Sequence, residues 1–332
     1  MHVIHALESV DVERTLVVVG HGAERVTKKV QEQAPHWANV SFVEQQVQRG
    51  TGDAALVGLS AFPGDDLDDD STVVILPGDT PLLRPETIDH LVSTHVANGY
   101  AATLLTSVMD DPSGYGRVVR GAGKADADRV LRIVEQRDAT PDELAVKEVC
   151  TSIYAFRRDL LGPALRHLSP DNAQGEYYLT DVVSVLGSMG HRIGAISASP
   201  VETSGVNDRW QLALAERELR ARTNRHWLLN GVTMLDPRQT FIDVTVRLGR
   251  DVTLYPGTIL QGRTHIGNGC EIGPDTRLID CMIADDAVIE NSVGRDAEVG
   301  AGAHVGPYAH LPSGSSIAAG RTTGSFYTAI VD

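Results

Sequence analysis

The first half of the chain alternates short apolar runs with stretches of helical spacing. Thr15–Val19 (TLVVV), Val40–Glu44, residues 73–76 (VVIL) and residues 101–108 have the length and β-branched content of buried strands. Between them, residues 23–30, 53–59 and Pro85–Asn98 place apolar residues at helical spacing, the last with proline in its first turn. Ile4 and Leu7 share that spacing, so the chain opens as a helix already under way. This alternation predicts a mostly parallel α/β sheet with both faces covered, and residues 73–76 as its buried central strand. From Asp110 the helices thin out. DDPSGYGRVVR is a loop entering a strand, and residues 131–135 and 149–156 are two more strands. Residues 160–168 and 179–186 read as helices, and residues 192–198 as a closing strand. Residues 63–71 hold five aspartates and read as a solvated loop.

Near residue 208 the pattern changes twice. A long helix, about residues 208–227, carries Leu212, Ala215, Leu219 and Ala221 as an apolar stripe, as expected of a helix joining two domains. Then a period of six sets in at Ile242, Leu248, Leu254, Leu260, Ile266, Ile272 and Leu278. Three five-residue steps lead to Ile283, Val288 and Val293, and the six-residue step returns at Val299, Val305, Leu311 and Ile317. A meander of hairpins would give period two. One short strand and one turn per six residues, three to a coil, stack an aliphatic ladder in a parallel β-helix. The predicted domains are therefore 1–207, a linker helix 208–230, the β-helix 231–325 and a tail 326–332.

Composition narrows the partners. The chain has 332 residues and a formal net charge of -15, which disfavours a nucleic-acid or anionic-membrane surface. Cys150, Cys270 and Cys281 show neither metal spacing nor a disulfide framework, as in a reducing, cytoplasmic compartment. No apolar run is long enough to span a membrane, and the N-terminus lacks the order of a signal peptide.

Candidate chemistry sits at strand ends. Asp79 follows the 73–76 strand through Pro77 and Gly78, a position from which a carboxylate can hold a divalent cation on a phosphorylated ligand. A turn aspartate bonding its own backbone has the same pattern. Gly50-Thr51-Gly52 at a strand-to-helix passage can offer backbone N–H groups to a nucleotide or be an ordinary tight turn, and it is no P-loop. Gly116 permits close approach of a ligand, and Glu135 can take sugar hydroxyls; either is also compatible with a hairpin. Asn207, at the mouth of the long helix, has the position of an N-cap.

QQVQRGTG, LPGDTPLL, GYGRVVR, IVEQRDAT, NAQGEYYLTD and GVNDRWQLA, followed by the six-residue repeat, together resemble the bacterial bifunctional N-acetylglucosamine-1-phosphate uridylyltransferase/glucosamine-1-phosphate acetyltransferase family over nearly the whole chain. The resemblance implies a Rossmann-like, GT-A-like nucleotidyltransferase domain followed by a left-handed parallel β-helix, and a homotrimer built on that helix. It implies that Gln45, Gly50 and Thr51 recognise uracil and that Asp79 and Asn207 hold Mg²⁺. Gly116, Glu135, Cys150, Tyr177 and Thr180 would hold the sugar. The implied reaction takes UTP and N-acetylglucosamine 1-phosphate to UDP-N-acetylglucosamine and pyrophosphate.

The chain also departs from the family pattern. A first strand with a glycine-rich LAAGxGTRM loop and a PK pair is not found, so its arginine and lysine are missing, and the expectation is a start misplaced downstream of that loop. The histidine after GTG is Asp53, and the asparagine of E-V/I-N-x-G is Cys150, which cannot offer both ends of an amide. LPSG lacks the arginine of the family's LRPG, and the coils that bind acetyl-CoA are not found. The 332 residues as they stand are thus expected to show neither uridylyl nor acetyl transfer. The alternatives are an inactive, hexapeptide-scaffolded oligomer that binds a sugar nucleotide, and a nucleotidyltransferase for another sugar.

Overall fold

The computed structural model describes residues 1–62, 71–121 and 129–330. Of the aspartate-rich loop expected at 63–71, only Ser71 lies among them. The chain forms two compact units, Met1–Gln211 and Leu212–Asp332.

The first unit runs α1 (His2–His5), β1 (Thr15–Val19), α2 (Ala23–Gln33), β2 (Val40–Glu44), α3 (Thr51–Ser60), β3 (Thr72–Ile75), α4 (Pro85–Asn98) and β4 (Ala102–Val108). It continues through β5 (Gly116–Arg120), β6 (Val130–Val134), α5 (Pro141–Leu144), β7 (Glu148–Arg157), α6 (Arg158–Arg166), α7 (Asp181–Ser188), β8 (Ile193–Ser197) and α8 (Pro200–Thr203). α9 (Arg209–Leu229) begins at its end. Local signals set these limits. α4 has Pro85 in its first turn, where the missing N–H is harmless, and stops at Gly99 in the left-handed region.

The larger sheet has the order β6-β5-β7-β4-β8, with β3 also paired to β7. β4 and β8 are parallel, but β7 runs antiparallel to β3, β4 and β5, and β5 antiparallel to β6. This corrects the expectation of a mostly parallel sheet. The cause is β7, ten residues long, which pairs first with β5 and then with β3 along one edge. The chain reaches it from β6 by passing over β5, through a connection that includes α5, and so lays it antiparallel to β5. β1 and β2 form a separate parallel pair. β3 pairs with β7 alone among the described residues and is half-buried, so it is not the two-sided central strand that VVIL suggested.

Both faces of the larger sheet are nonetheless covered. Leu104, Tyr154 and Phe156 pack with Leu161 and Leu165 of α6 and Val182, Val183 and Leu186 of α7. Leu105, Ile153 and Ala155 turn the other way, onto Ile88 and Leu91 of α4 and onto Ala6 and Leu7. Adjacent residues face opposite sides, which is why the strands are apolar throughout.

The second unit is a parallel, left-handed β-helix with three five-stranded faces. Leu254, Leu260, Ile266, Ile272 and Leu278 point inward and are fully buried. Small buried residues such as Thr258, Thr264, Cys270 and Cys281 fill positions next to the ladder. The Thr264 hydroxyl donates to the Gln261 carbonyl at 2.7 Å and accepts from the Cys281 N–H at 3.2 Å. The ladder differs from expectation where the period slips. Ile289 pairs with Ile272, and Gly294 with Leu278. Val288 and Val293 therefore face outward, because the register below dictates the inward position. The stripe expected on α9 is also corrected. Ala215 and Asn224 are its buried residues, whereas Leu212 is 54% exposed. Asn224 anchors the helix by donating to the carbonyls of Pro237 (2.7 Å) and Thr240 (3.0 Å).

Candidate functional site

The GTG turn is tied to the segment before α7. Gly52 N–H donates to the Tyr177 carbonyl and Tyr177 N–H to the Arg49 carbonyl, both at 2.8 Å. Leu179 N–H donates to the Thr51 hydroxyl at 3.0 Å. Gly50 has φ 114°, and a Cβ there would lie 2.6 Å from the Tyr177 carbonyl oxygen, so only glycine fits. Gln45, Gly50, Thr51 and Tyr177 are thereby gathered in one place. Gln45 is buried and donates from Nε2 to Asp53 Oδ2 at 2.7 Å and to the Gly50 carbonyl at 3.3 Å.

A second group stands on β5, β7 and the ends of β6 and α7. Gly116 pairs with Cys150. A Cβ on Gly116 would sit 3.4 Å from Glu135 Oε1, and the Thr180 hydroxyl donates to the same oxygen at 3.0 Å. Burial raises the Glu135 pKa, the Thr180 bond opposes this, and Asp181 and Asp138 add to the rise. The Cys150 thiol is buried and donates to the Tyr154 hydroxyl at 3.2 Å. Burial pushes its pKa up to about 11, so it stays a neutral thiol. Gly116, Glu135, Cys150 and Thr180 thus share one patch, and residues 177–180 link it to the GTG turn.

The third group is Asp79 with Asn207. Val206 N–H donates to the Asp79 carbonyl at 2.9 Å, and a Cβ on Gly205 would lie 3.3 Å from Asp79 Oδ2. The two turns are held side by side. Asn207 is not the cap of α9: Asp208 Oδ1 accepts from Gln211 N–H at 2.7 Å and fills that role. No described residue hydrogen-bonds to the side chains of Asp79 or Asn207. Among the described residues no three carboxylates, histidines or cysteines gather as a metal cluster. One free carboxylate and one free amide oxygen are hard donors, and they suit Mg²⁺, which keeps several waters and binds substrate phosphates.

The MobA-like NTP transferase domain model matches residues 1–178. The chain belongs to that family. The match includes all the predicted site residues except Thr180 and Asn207. The sequence is GlmU-like beyond it as well. The bifunctional protein GlmU of Thermobifida fusca is 45% identical over 297 residues, which is 89% of this chain and 60% of that protein. The GlmU of Streptomyces coelicolor is 43% identical over 330 residues, 99% of this chain and 66% of that protein. The chain thus spans less than two thirds of these relatives' lengths. A solved UDP-glucose pyrophosphorylase in complex with UDP-glucose is 13% identical, with a TM-score of 0.44, over 59% of this chain and 77% of that one. At that distance it places no residue.

Two residues that organise the site had no role assigned to them from the sequence. Asn172 closes the 172–176 loop, donating to the Glu176 carbonyl at 2.6 Å and accepting from the N–H groups of Gln174 and Glu176 at 3.2 Å. Asp53 holds Gln45 and pairs with Arg49 at 2.9 Å. Asn172 had a signal, since an Asn after Pro-Asp in a glycine-bearing stretch is turn chemistry. Asp53 stood out only as a departure from the family's histidine, and an acidic residue in the first helical turn is otherwise ordinary. A cavity of about 320 Å³ between β5 and α5 contains none of the candidate residues. A cavity of about 270 Å³ borders Gln45, Arg49, Asp53 and Val57.

Proposed function

We propose that the first unit serves uridylyl transfer, joining UTP and N-acetylglucosamine 1-phosphate into UDP-N-acetylglucosamine with release of pyrophosphate. The observation that supports it best is the joining of segments far apart in sequence: the GTG turn with Gln45 is bonded to residues 177–179, Thr180 meets Glu135 beside Gly116, and separately the Asp79 turn is bonded to the turn that carries Asn207. Gln45 and the turn backbone orient the base. Glu135 accepts sugar hydroxyls, while Gly116 lets the ring lie against β5. Asp79 and Asn207 would hold Mg²⁺, which supplies charge neutralisation between the two phosphorylated substrates when bound. The sugar 1-phosphate oxygen attacks the α-phosphorus of UTP, and pyrophosphate leaves with the electron pair of the broken bond.

Calorimetric titration with UDP-N-acetylglucosamine and Mg²⁺ tests this reading. Binding should weaken about tenfold or more in Glu135→Ala, the scale of a lost hydrogen bond to a charged group. No binding to the parent protein refutes it. A second reading, a binding protein without turnover, is favoured by β3, which pairs with β7 alone among the described residues at the strand end that delivers Asp79. Pyrophosphate release separates the two. We propose further that the β-helix assembles three copies of the chain; light scattering that finds a monomer at micromolar concentration contradicts this.

A further inference from the structure

We propose that Asp53 sets the base specificity of the nucleotide site by fixing which end of the Gln45 amide faces the ligand. This rests on the nucleotide reading above and adds a positioning residue to it.

A primary amide has a donor end and an acceptor end. Gln45 is 8% exposed, and its Nε2 lies 2.7 Å from Asp53 Oδ2 and 3.3 Å from the Gly50 carbonyl. Both partners are acceptors. Turning the amide over would bring its oxygen against two other oxygens in a buried place and lose both bonds. The orientation therefore follows from chemistry, because a carboxylate has no hydrogen to give. Asp53 is itself held firmly. It is 8% exposed, it sits in the first turn of α3 where negative charge is favoured, and its Oδ1 takes the Arg49 guanidinium at 2.9 Å. The Gly52–Tyr177 and Tyr177–Arg49 backbone bonds fix the turn beside it.

Gln45 Oε1 is then the free end. No described residue donates to it, and it is not among the sealed, unpartnered polar atoms, so it remains open to solvent. A lone acceptor reads a ring N–H. Uracil offers one at N3, whereas cytosine has an unprotonated, accepting nitrogen there. A site whose acceptor meets an acceptor leaves both groups unpaired, which is the strongest form of rejection. The family pattern has histidine in place of Asp53, so the resemblance supplies no role for this carboxylate.

The test is calorimetric titration of the full chain with UDP and with CDP. The parent protein should prefer UDP by at least about thirtyfold, the scale of one buried polar group left unpaired. In Asp53→Asn the new side chain can donate as well as accept, so Gln45 is free to turn. CDP affinity should rise and the preference should fall to about fivefold or less, with UDP affinity changed by no more than about threefold. In Gln45→Met, UDP affinity should drop to the level of CDP. In the free protein, the Gln45 side-chain amide protons should exchange slowly with solvent and exchange faster in Asp53→Asn. An unchanged preference for UDP in Asp53→Asn overturns the role of Asp53 and leaves the nucleotide reading standing. Equal loss of both nucleotides in that variant also overturns it, since that is a purely structural effect. If the parent binds neither nucleotide, the nucleotide reading and this proposal both fall.

Discussion

Replacing Gly50 by alanine tests the turn on which the nucleotide half of the site depends. Its backbone, at φ 114° and ψ 175°, lies in a region that is essentially reserved for glycine, and a side chain there costs about 1–3 kcal/mol. The added Cβ would meet the Tyr177 carbonyl oxygen at 2.6 Å, the Tyr177 nitrogen at 2.9 Å and Glu176 Cβ at 3.0 Å. Two of these are backbone atoms and cannot swing away. Relief requires parting the two segments and loosening the Gly52–Tyr177 and Tyr177–Arg49 hydrogen bonds, each worth about 1 kcal/mol. The total is about 3–5 kcal/mol. Gly22→Ala is the control. Gly22 has φ 75° with nothing within 4 Å of a new Cβ, so only a backbone cost of about 1–2 kcal/mol applies. Urea denaturation followed by circular dichroism gives the stability difference, and hydrogen exchange at the Gly52 and Tyr177 amides locates it. Uridine nucleotide affinity should fall in Gly50→Ala and not in Gly22→Ala. The reasoning fails if Gly50→Ala is no more destabilising than Gly22→Ala and both amides stay protected.

In a protein that also carries the family's glycine-rich loop, Asp79→Asn should cut pyrophosphate release by two to four orders of magnitude, roughly the scale for losing a positioned electrostatic group; a rate within about tenfold of the parent would make Asp79 a turn residue only. Leu260→Ala, at a fully buried rung of the β-helix, should cost about 3 kcal/mol by leaving a cavity between coils, read as a lower unfolding midpoint of the second unit. His95 is buried, with Nδ1 on the Thr103 hydroxyl at 2.9 Å and Nε2 without a partner among the described residues. Burial, assisted by Arg157, lowers its pKa to about 4. The unfolded chain takes up a proton near pH 6.5 that the folded protein refuses. Stability should therefore fall as pH drops from 6.5 towards 4, by up to about 3 kcal/mol for this group, and level off below. His95→Gln should remove that part of the pH dependence, which denaturation at several pH values would show.

The β-helix was legible because its period is local: each coil repeats the same inward aliphatic position, and neighbouring coils bury it. Only the slips misled. At Val288 the competing inward residue is the neighbouring isoleucine, at Val293 it is the neighbouring glycine, and the strand below decides. Pairing between Ile272 and Ile289 is a fact about two coils, not about either segment. The course of β7 was hidden for a similar reason. Its partners, β3 and β4, lie tens of residues away, and an apolar run that is buried on both faces reads the same in either direction. Asn207 shows the reverse case. As a lone residue at a helix mouth it read as a cap, and only the Asp208–Gln211 bond frees it for a ligand. The Asp53–Gln45 pair was silent in the sequence, since a strand end and a helix start eight residues apart give no sign that their side chains meet.

The central claim is that base, sugar and metal are bound by one site made from the Gln45 turn, the Gly116–Glu135 patch and the Asp79–Asn207 turns. A crystal structure of the protein with UDP-N-acetylglucosamine and Mg²⁺ tests it most directly. The account predicts uracil N3–H on Gln45 Oε1, sugar hydroxyls on Glu135 beside Gly116, and an ion held by Asp79 and Asn207 against the diphosphate. A sugar nucleotide bound elsewhere, or bound with Gln45 and Glu135 both untouched, would contradict it.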